Sequence, residues 1–144
     1  RQAVALSAAT NPMTGQPGFK LADDEMEYGV GIHSEPGYRR EKIKSSKELV
    51  EELITKLNEE LHFDSRNKYA MLVNGMGATP LMEQYVFTND VLNKLDSFNI
   101  TPVFMKIGNY MTSIDMAGIS LTIFEIKDDK WLEYLNYPVQ TIAW

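Results

Sequence analysis

Tyr69-Ala-Met-Leu-Val73 runs directly into Asn74-Gly-Met-Gly77, and Thr79-Pro80 follows closely. The first five residues form a short apolar run typical of a buried strand. The two glycines predict a turn, while Thr79 and Pro80 predict the N-cap and the first position of a helix. Apolar residues at helical spacing continue that helix to about residue 97. This stretch therefore predicts a strand–turn–helix unit, which the remaining elements must pack around.

A second helix is predicted upstream, over about residues 46–61. Ser45 precedes Glu48 by three positions, which is the spacing of a capping box. One helical face is apolar and the other is charged. We interpret the apolar face as core surface rather than as a groove for a partner; it carries Leu49, Val50, Leu53, Ile54, Leu57 and Leu61.

The remaining elements are predicted to be mostly strands. Four apolar or alternating runs have strand character, and they cover Val4–Ala8, Met26–Ile32, Thr101–Ile107 and Ile119–Ile126. Loops are predicted at 11–18 and 108–118, a turn at Asp128-Asp129, and an aromatic arm over 131–144. Strands mixed with two long helices predict a single α+β domain over residues 1–144, a two-layer sandwich of a mixed sheet with helices.

Composition limits the classes of function. With 44% apolar residues the chain can bury a core, and no apolar stretch reaches the length of a membrane span. The 20 acidic and 14 basic residues give a formal charge of −6, which disfavours binding to nucleic acid. We interpret the small basic cluster over 39–47 as a solvated loop and helix start. The absence of cysteine excludes disulfides and thiolate metal sites and fits a cytoplasmic protein.

One of the two histidines follows a glycine-rich run, in Gly29-Val-Gly-Ile-His33-Ser-Glu-Pro-Gly37. A histidine on a loop defined by glycine and proline is well placed for chemistry. A neutral imidazole nitrogen can add to a ketone carbon to form a hemiaminal, without a cofactor. From the residues alone, a structural or surface role for His33 stays equally open.

Other polar residues have two interpretations each. Glu35 either orients the His33 imidazole or is a solvated loop carboxylate, and we favour the latter. The Asn74-Gly75-Met-Gly77 turn either binds an anion through backbone N–H groups or is only a tight turn, which we favour. The turn lacks the Lys-Ser/Thr of a P-loop, so no nucleotide site is predicted in this chain.

Two further titratable residues are predicted to be structural. Asp115 has no histidine or carboxylate neighbours at ligand spacing, so we predict no metal site and assign its loop to structure or to an interface. His62 follows the 46–61 helix, where the helix dipole favours it, and a surface role is predicted.

Three blocks of the sequence together resemble one family. The run Leu21–Gly37, the run Val73–Glu83, and Gly108–Gly118 with Ile119–Thr122 resemble the C-terminal domain of the dihydroxyacetone-binding subunit of dihydroxyacetone kinase, the type that depends on the sugar phosphotransferase system. The blocks come in the family's order and cover most of the chain. The resemblance is therefore more specific than any single short motif.

The resemblance implies that His33 is the family's covalent substrate-binding histidine. Its distal ring nitrogen would bond the carbonyl carbon of dihydroxyacetone, and a terminal hydroxyl would then be phosphorylated. Gly31 and Glu35, with Asn74, Gly75 and Gly77, are the candidate supporting positions. Ser34 stands where the family commonly has glycine or another small residue, and its size is compatible with the site.

The resemblance also implies what lies outside this chain. The nucleotide and Mg²⁺ are expected on a partner subunit or another domain, and the general base in a preceding domain. This domain would therefore be the second of a two-domain α/β subunit, inactive by itself, and a homodimer in the complete protein. The N-terminus begins like a strand entered midway, which also predicts a longer protein, and the close of the chain soon after the last block favours a separate subunit.

Two alternatives remain. Some relatives keep the histidine but sense dihydroxyacetone and activate a transcription regulator, and this domain would look similar in both. A structural α+β domain with an incidental histidine is the third interpretation, which three ordered blocks disfavour.

Overall fold

The computed structural model describes residues 1–33 and 35–144, and Ser34 lies outside them. Six strands form one sheet, β1 (Gln2–Ala5), β2 (Glu25–Tyr28), β3 (Arg39–Lys42), β4 (Lys68–Gly75), β5 (Phe104–Gly108) and β6 (Gly118–Ile126). Three helices accompany them, α1 (Ser46–Leu61), α2 (Leu81–Asp96) and α3 (Asp129–Leu135). The strand order is β3-β2-β1-β6-β4-β5. Only β4 and β5 are parallel, so the sheet is mixed and the predicted α+β class is confirmed.

The two long helices cover one face of the sheet. Strand side chains alternate between faces, so Val4, Met26 and Leu121 join the apolar faces of α1 and α2 in the main core. The opposite face has a smaller cluster, in which Ala3 and Ala5 pack with residues from the loops. Helix α3 covers the end of β6, where Trp131 stacks on Phe124 with ring centroids 5.4 Å apart.

Helix α1 begins and ends where the sequence predicts. The Ser45 hydroxyl accepts from the Glu48 N–H, and the Glu48 carboxylate accepts from the Ser45 N–H at 2.9 Å. This capping box fixes the first turn, and the predicted apolar stripe is buried. Both signals are local, which is why the bounds are correct.

The predicted cap of α2 is wrong. Pro80, not Thr79, occupies the N-cap position, and no side chain caps this helix. The Thr79 hydroxyl instead donates to the Gly118 carbonyl at 2.7 Å, at the start of β6. A neighbouring strand therefore provides an acceptor that the local sequence does not reveal.

Three predicted strands are displaced. The run Thr101–Ile107 is a strand only from Phe104 onward, and that strand ends at Gly108. The run Met26–Ile32 is extended only to Tyr28, because Gly29 adopts a left-handed φ of 79°. The run Val4–Ala8 is a strand only at its start, and β1 instead begins at Gln2. At its end, Leu6 N–H donates to the Ala117 carbonyl.

Strand β3 and helix α3 were missed by the sequence analysis. Residues 39–42, interpreted as part of a solvated basic loop, pair with β2 along its whole length. Their charges are matched across the strands, with Arg40 Nε 2.6 Å from a Glu27 carboxylate oxygen. Asp128, predicted to form a turn, is the N-cap of α3 and accepts from Lys130 N–H at 2.9 Å.

Beyond α3, the aromatic tail returns to the sheet. Trp144 stacks on Phe104 of β5 with ring centroids 6.0 Å apart. Within residues 1–33 and 35–144, the helices are too short or too polar to cross a bilayer.

Candidate functional site

His33 lies in the loop of residues 29–38 that joins β2 to β3. Its imidazole is 83% exposed. Val30 is buried and Ile32 half-buried, and both pack against the smaller core cluster. The loop is thus anchored through alternate residues, while the histidine side chain faces solvent. The predicted strand end at His33 is wrong, because the left-handed turn at Gly29 ends β2 earlier and places His33 in the loop.

Both ends of this loop are held by backbone contacts. Gly29 N–H donates to the Ala3 carbonyl at 2.8 Å, and Tyr38 N–H donates to the Tyr28 carbonyl at 2.9 Å. At Gly37 a Cβ atom would overlap that same Tyr28 carbonyl, so only glycine allows the approach. The ends of the loop are therefore brought together at the edge of the sheet.

Glu35 lies beside His33. One carboxylate oxygen accepts from the His33 backbone N–H at 2.9 Å, and the other lies 3.8 Å from the imidazole Nδ1. The second distance exceeds hydrogen-bond length, so the carboxylate is adjacent to the ring without fixing its tautomer. A Cβ at Gly31 would overlap the present position of the Glu35 carboxylate. Although half exposed, Glu35 is thus more than a solvated loop residue.

Asn74 is a structural residue of the second motif. It is 2% exposed, and its side-chain oxygen accepts from the N–H groups of Tyr110 and Met111, both at 2.8 Å. Its amide nitrogen donates to the Met111 carbonyl at 2.8 Å and to the Ser120 hydroxyl at 3.4 Å. All of its strong bonds therefore hold the loop after β5.

The two glycines of this motif allow close packing. Gly77 has a φ of 136°, and a Cβ there would overlap the Ile114 carbonyl. A Cβ at Gly75 would overlap the buried Gln84 side chain. The Met76 N–H donates to the Gly118 carbonyl at 2.9 Å, and the Ala78 N–H donates to the Met116 carbonyl at 3.1 Å. Two donors that an anion would need are thus engaged, and the geometry favours the tight turn.

The two motifs occupy different parts of the sheet. Gly29 bonds to Ala3, Ala3 pairs with Ser120, and Ser120 pairs with Asn74. Three strand spacings of ~4.8 Å place Gly29 and Asn74 about 14 Å apart. The two groups, one of Gly31, His33 and Glu35 and the other of Asn74, Gly75 and Gly77, are linked through the smaller core cluster, which contains both Val30 and Met76.

Asp115 and His62 have structural contacts. The Asp115 carboxylate accepts from the Thr10 N–H at 2.7 Å and from the Thr10 hydroxyl at 2.6 Å. These hydrogen bonds lower the pKa of Asp115 below its ordinary value. His62 is the C-cap of α1 and donates its backbone N–H to Asn58. Among the described residues, no cluster of three or more potential ligands is placed to hold a metal ion.

A group of ion pairs lies next to Tyr28, the residue before the His33 loop, and was not predicted from the sequence. Glu52 of α1 contacts Arg39 of β3 and Lys44, and both cations lie over the ring of Tyr28. The available signal was the basic run of residues 39–44 beside an acidic helix. Without β3 in place, that signal does not indicate which charges meet.

The fold and the site together define a class of protein. It is a mixed-sheet α+β domain that presents an exposed histidine on a glycine-bounded loop, with a carboxylate beside it. The Dak1 domain model matches residues 2–143, and the chain belongs to this family. The family suggested by the three sequence blocks is therefore confirmed.

Two of the relatives that this chain resembles come from one organism but have different names. The chain is 63% identical over 141 residues to the PTS-dependent dihydroxyacetone kinase, dihydroxyacetone-binding subunit DhaK, of Lactococcus lactis subsp. lactis. It is 50% identical over 128 residues to the DhaKLM operon coactivator DhaQ of the same organism. A solved structure of a dihydroxyacetone kinase operon co-activator superposes with a TM-score of 0.89 at 45% identity, over 95% of this chain and 42% of that one.

These matches cover only part of each relative. The alignment takes in 98% of this chain but 42% of the Lactococcus kinase subunit, and 88% of this chain but 39% of the coactivator. The chain thus corresponds to less than half the length of the curated relatives it matches.

Proposed function

We propose that this chain is the substrate-histidine domain of a dihydroxyacetone-binding subunit of dihydroxyacetone kinase. The observation that carries the proposal is the exposed His33 imidazole, held on a glycine-bounded loop beside the Glu35 carboxylate. The 63% identity to a subunit with that name supports it.

The proposed chemistry is a reversible covalent addition. The Nε2 lone pair of neutral His33 attacks the ketone carbon of dihydroxyacetone, a C–N bond forms, and the carbonyl π electrons move to oxygen. That oxygen gains a proton while Nδ1 loses one, so the product is a neutral hemiaminal. Glycerol lacks a carbonyl and cannot form this adduct, so the functional group itself provides discrimination.

Glu35 is the proposed proton acceptor or relay on the Nδ1 side of the ring. Its carboxylate oxygen lies 3.8 Å from Nδ1, a distance that one small rotation or one bridging water would close. Gly31 makes room for this carboxylate. Both residues would act through His33 and would not touch the ketone.

The phosphoryl group would come from outside this domain. The name of the Lactococcus relative includes dependence on the phosphotransferase system. We therefore expect a nucleotide-bearing, Mg²⁺-containing partner subunit that phosphorylates a terminal hydroxyl of the adduct. In the complete protein we expect a cytoplasmic homodimer, and we expect the isolated domain to be inactive.

The test follows the carbonyl carbon of dihydroxyacetone labelled with ¹³C at C2. In the full-length wild-type protein, the ketone resonance should be replaced by a protein-bound tetrahedral signal. His33→Ala should abolish that signal while leaving the circular dichroism spectrum and the thermal midpoint unchanged, because an exposed loop side chain contributes little packing.

His62→Ala is the matched control, since it removes the other histidine of the 144 residues considered. It should leave the adduct intact. A tetrahedral, protein-bound carbon in the His33→Ala protein would show that another group forms the bond and would overturn the assignment.

A second candidate function is dihydroxyacetone sensing without phosphoryl transfer. The 50% identity to the operon coactivator and the TM-score of 0.89 to a co-activator structure support it. The discriminating assay combines the full-length protein, dihydroxyacetone and a nucleotide-bearing kinase subunit in one reaction. Formation of dihydroxyacetone phosphate identifies a kinase subunit, whereas an adduct that never receives phosphate identifies a sensor.

A further inference from the structure

Each end of the His33 loop has a tyrosine next to it. Tyr28, the last residue of β2, is fully buried on the helix-covered face of the sheet. Tyr38, just before β3, is half exposed, and its ring lies against Gly29 so closely that a Cβ there would overlap it. The positions of these two rings therefore set the separation and direction of the two loop ends.

Three cations hold these rings. The Arg39 guanidinium lies 4.2 Å from the centroid of the Tyr28 ring, and Lys44 Nζ lies 5.6 Å from it. Lys56 Nζ lies 4.5 Å from the centroid of the Tyr38 ring and is hydrogen-bonded to its hydroxyl. The Arg39 and Lys44 contacts are within cation–π range. Lys56 instead lies at the edge of the Tyr38 ring, beside the hydroxyl to which it is bonded.

The same three cations converge on one carboxylate. Glu52 accepts a hydrogen bond from Arg39, lies 3.1 Å from Lys44 Nζ and lies 3.8 Å from Lys56 Nζ. Its side chain is only 21% exposed. Burial raises the pKa of Glu52, but the hydrogen bonds from Arg39 and Lys44 outweigh this effect, and the net pKa is below its ordinary value. Glu52 is therefore a charged centre shared by both loop ends.

We propose that Glu52 is a positioning residue for His33, acting from α1 through three cations and two tyrosine rings on both ends of the loop. The inference rests on the proposed function of His33. Glu41 also pairs with Arg39 and Lys44, but Glu41 lies on β3 itself. Glu52 contacts all three cations and is the carboxylate that connects them to the rigid helix, so it links both loop ends to one fixed point. Helix α1 is itself fixed by its capping box and its buried stripe.

Positioning matters because attack on a carbonyl depends on distance and angle. A displacement of about 1 Å at a reacting atom costs on the order of 100-fold in rate. Glu52→Gln keeps the shape of the side chain but removes the charge that gathers the cations. We expect this variant to reduce the rate of adduct formation at least ten-fold, and Glu52→Asp to recover part of the loss.

The experiment uses the full-length protein and two independent readouts. The first is hydrogen exchange of the Tyr38 amide, which bonds to the Tyr28 carbonyl at the loop base, measured without ketone. The second is the rate of adduct formation with ¹³C-labelled dihydroxyacetone. Glu59→Gln is the matched control, because Glu59 lies on the same helix and is exposed.

Faster exchange at Tyr38 and slower adduct formation in Glu52→Gln, with Glu59→Gln unchanged, are the expected results. A lower unfolding midpoint with unchanged exchange and unchanged adduct formation would reduce Glu52 to a purely structural role and overturn the proposal. If the wild type forms no adduct, the proposed function fails, but the exchange readout still tests the link between Glu52 and the loop.

A milder variant guards against misfolding of Glu52→Gln. Tyr38→Phe keeps the ring over Gly29 and removes only the hydroxyl bond to Lys56. It should speed hydrogen exchange of the backbone amide at position 38 and should slow adduct formation, in both cases by a smaller factor than Glu52→Gln does. No change in either readout would contradict the linkage.

Discussion

Replacing Asn74 by alanine should destabilise the fold by about 3 kcal/mol. The substitution removes three hydrogen bonds of 2.8 Å, two accepted from Tyr110 and Met111 and one donated to the Met111 carbonyl. Each is worth roughly 1 kcal/mol net. The bond to the Ser120 hydroxyl is at the limit of range and adds little. Because Asn74 is 2% exposed, water cannot readily replace the lost partners.

Urea unfolding followed by circular dichroism measures this free energy. The midpoint should fall while the slope with denaturant stays constant, since the surface exposed on unfolding is unchanged. Asn89→Ala is the control, because Asn89 is an exposed residue of α2, and it should change stability by less than about 0.5 kcal/mol. A loss in Asn74→Ala no larger than in that control would refute the structural role assigned to the side chain.

Three further predictions concern stability. Ser45→Ala removes the cap of α1 and should cost about 1 kcal/mol in urea unfolding. Gly77→Ala places a Cβ against the Ile114 carbonyl at a φ of 136° and should cost more than about 2 kcal/mol, seen as a lower thermal midpoint. Because the pKa of Glu52 is lower in the folded state, the unfolded state binds more protons around the ordinary value of 4.5. The stability that Glu52 contributes should therefore be lost as pH falls below about 4.5, and an unchanged acid titration of unfolding in Glu52→Gln would contradict this.

The parts of the fold that local sequence determines could be predicted. The bounds of α1 follow from a capping box and an apolar stripe, which lie within the helix itself. The turn after β4 follows from its two glycines. The α+β class follows from the apolar residues, which recur at strand spacing in some segments and at helical spacing in others. A loop following His33 could also be predicted from Pro36 and Gly37, although the loop begins earlier than predicted, at Gly29.

The parts that depend on distant partners could not be predicted. Thr79 is a residue type that commonly caps helices, but here its hydroxyl donates to the Gly118 carbonyl of β6. Strand β3 has four consecutive charged residues, and its strand conformation depends on pairing with β2. Glu52 has no local signal of its role, because its three cations are brought to it by β3, the loop that follows and the next helical turn.

Strand β3 lies at one outer edge of the sheet, where unpaired backbone groups are open to another chain. Its sequence there is Arg39-Arg-Glu-Lys42, and two of its cations also pair with carboxylates of or next to β2. A neighbouring molecule that tried to extend the sheet would have to desolvate these charges, which discourages edge-to-edge aggregation. The composition that conceals this strand from sequence analysis thus also protects the protein from forming intermolecular β-structure.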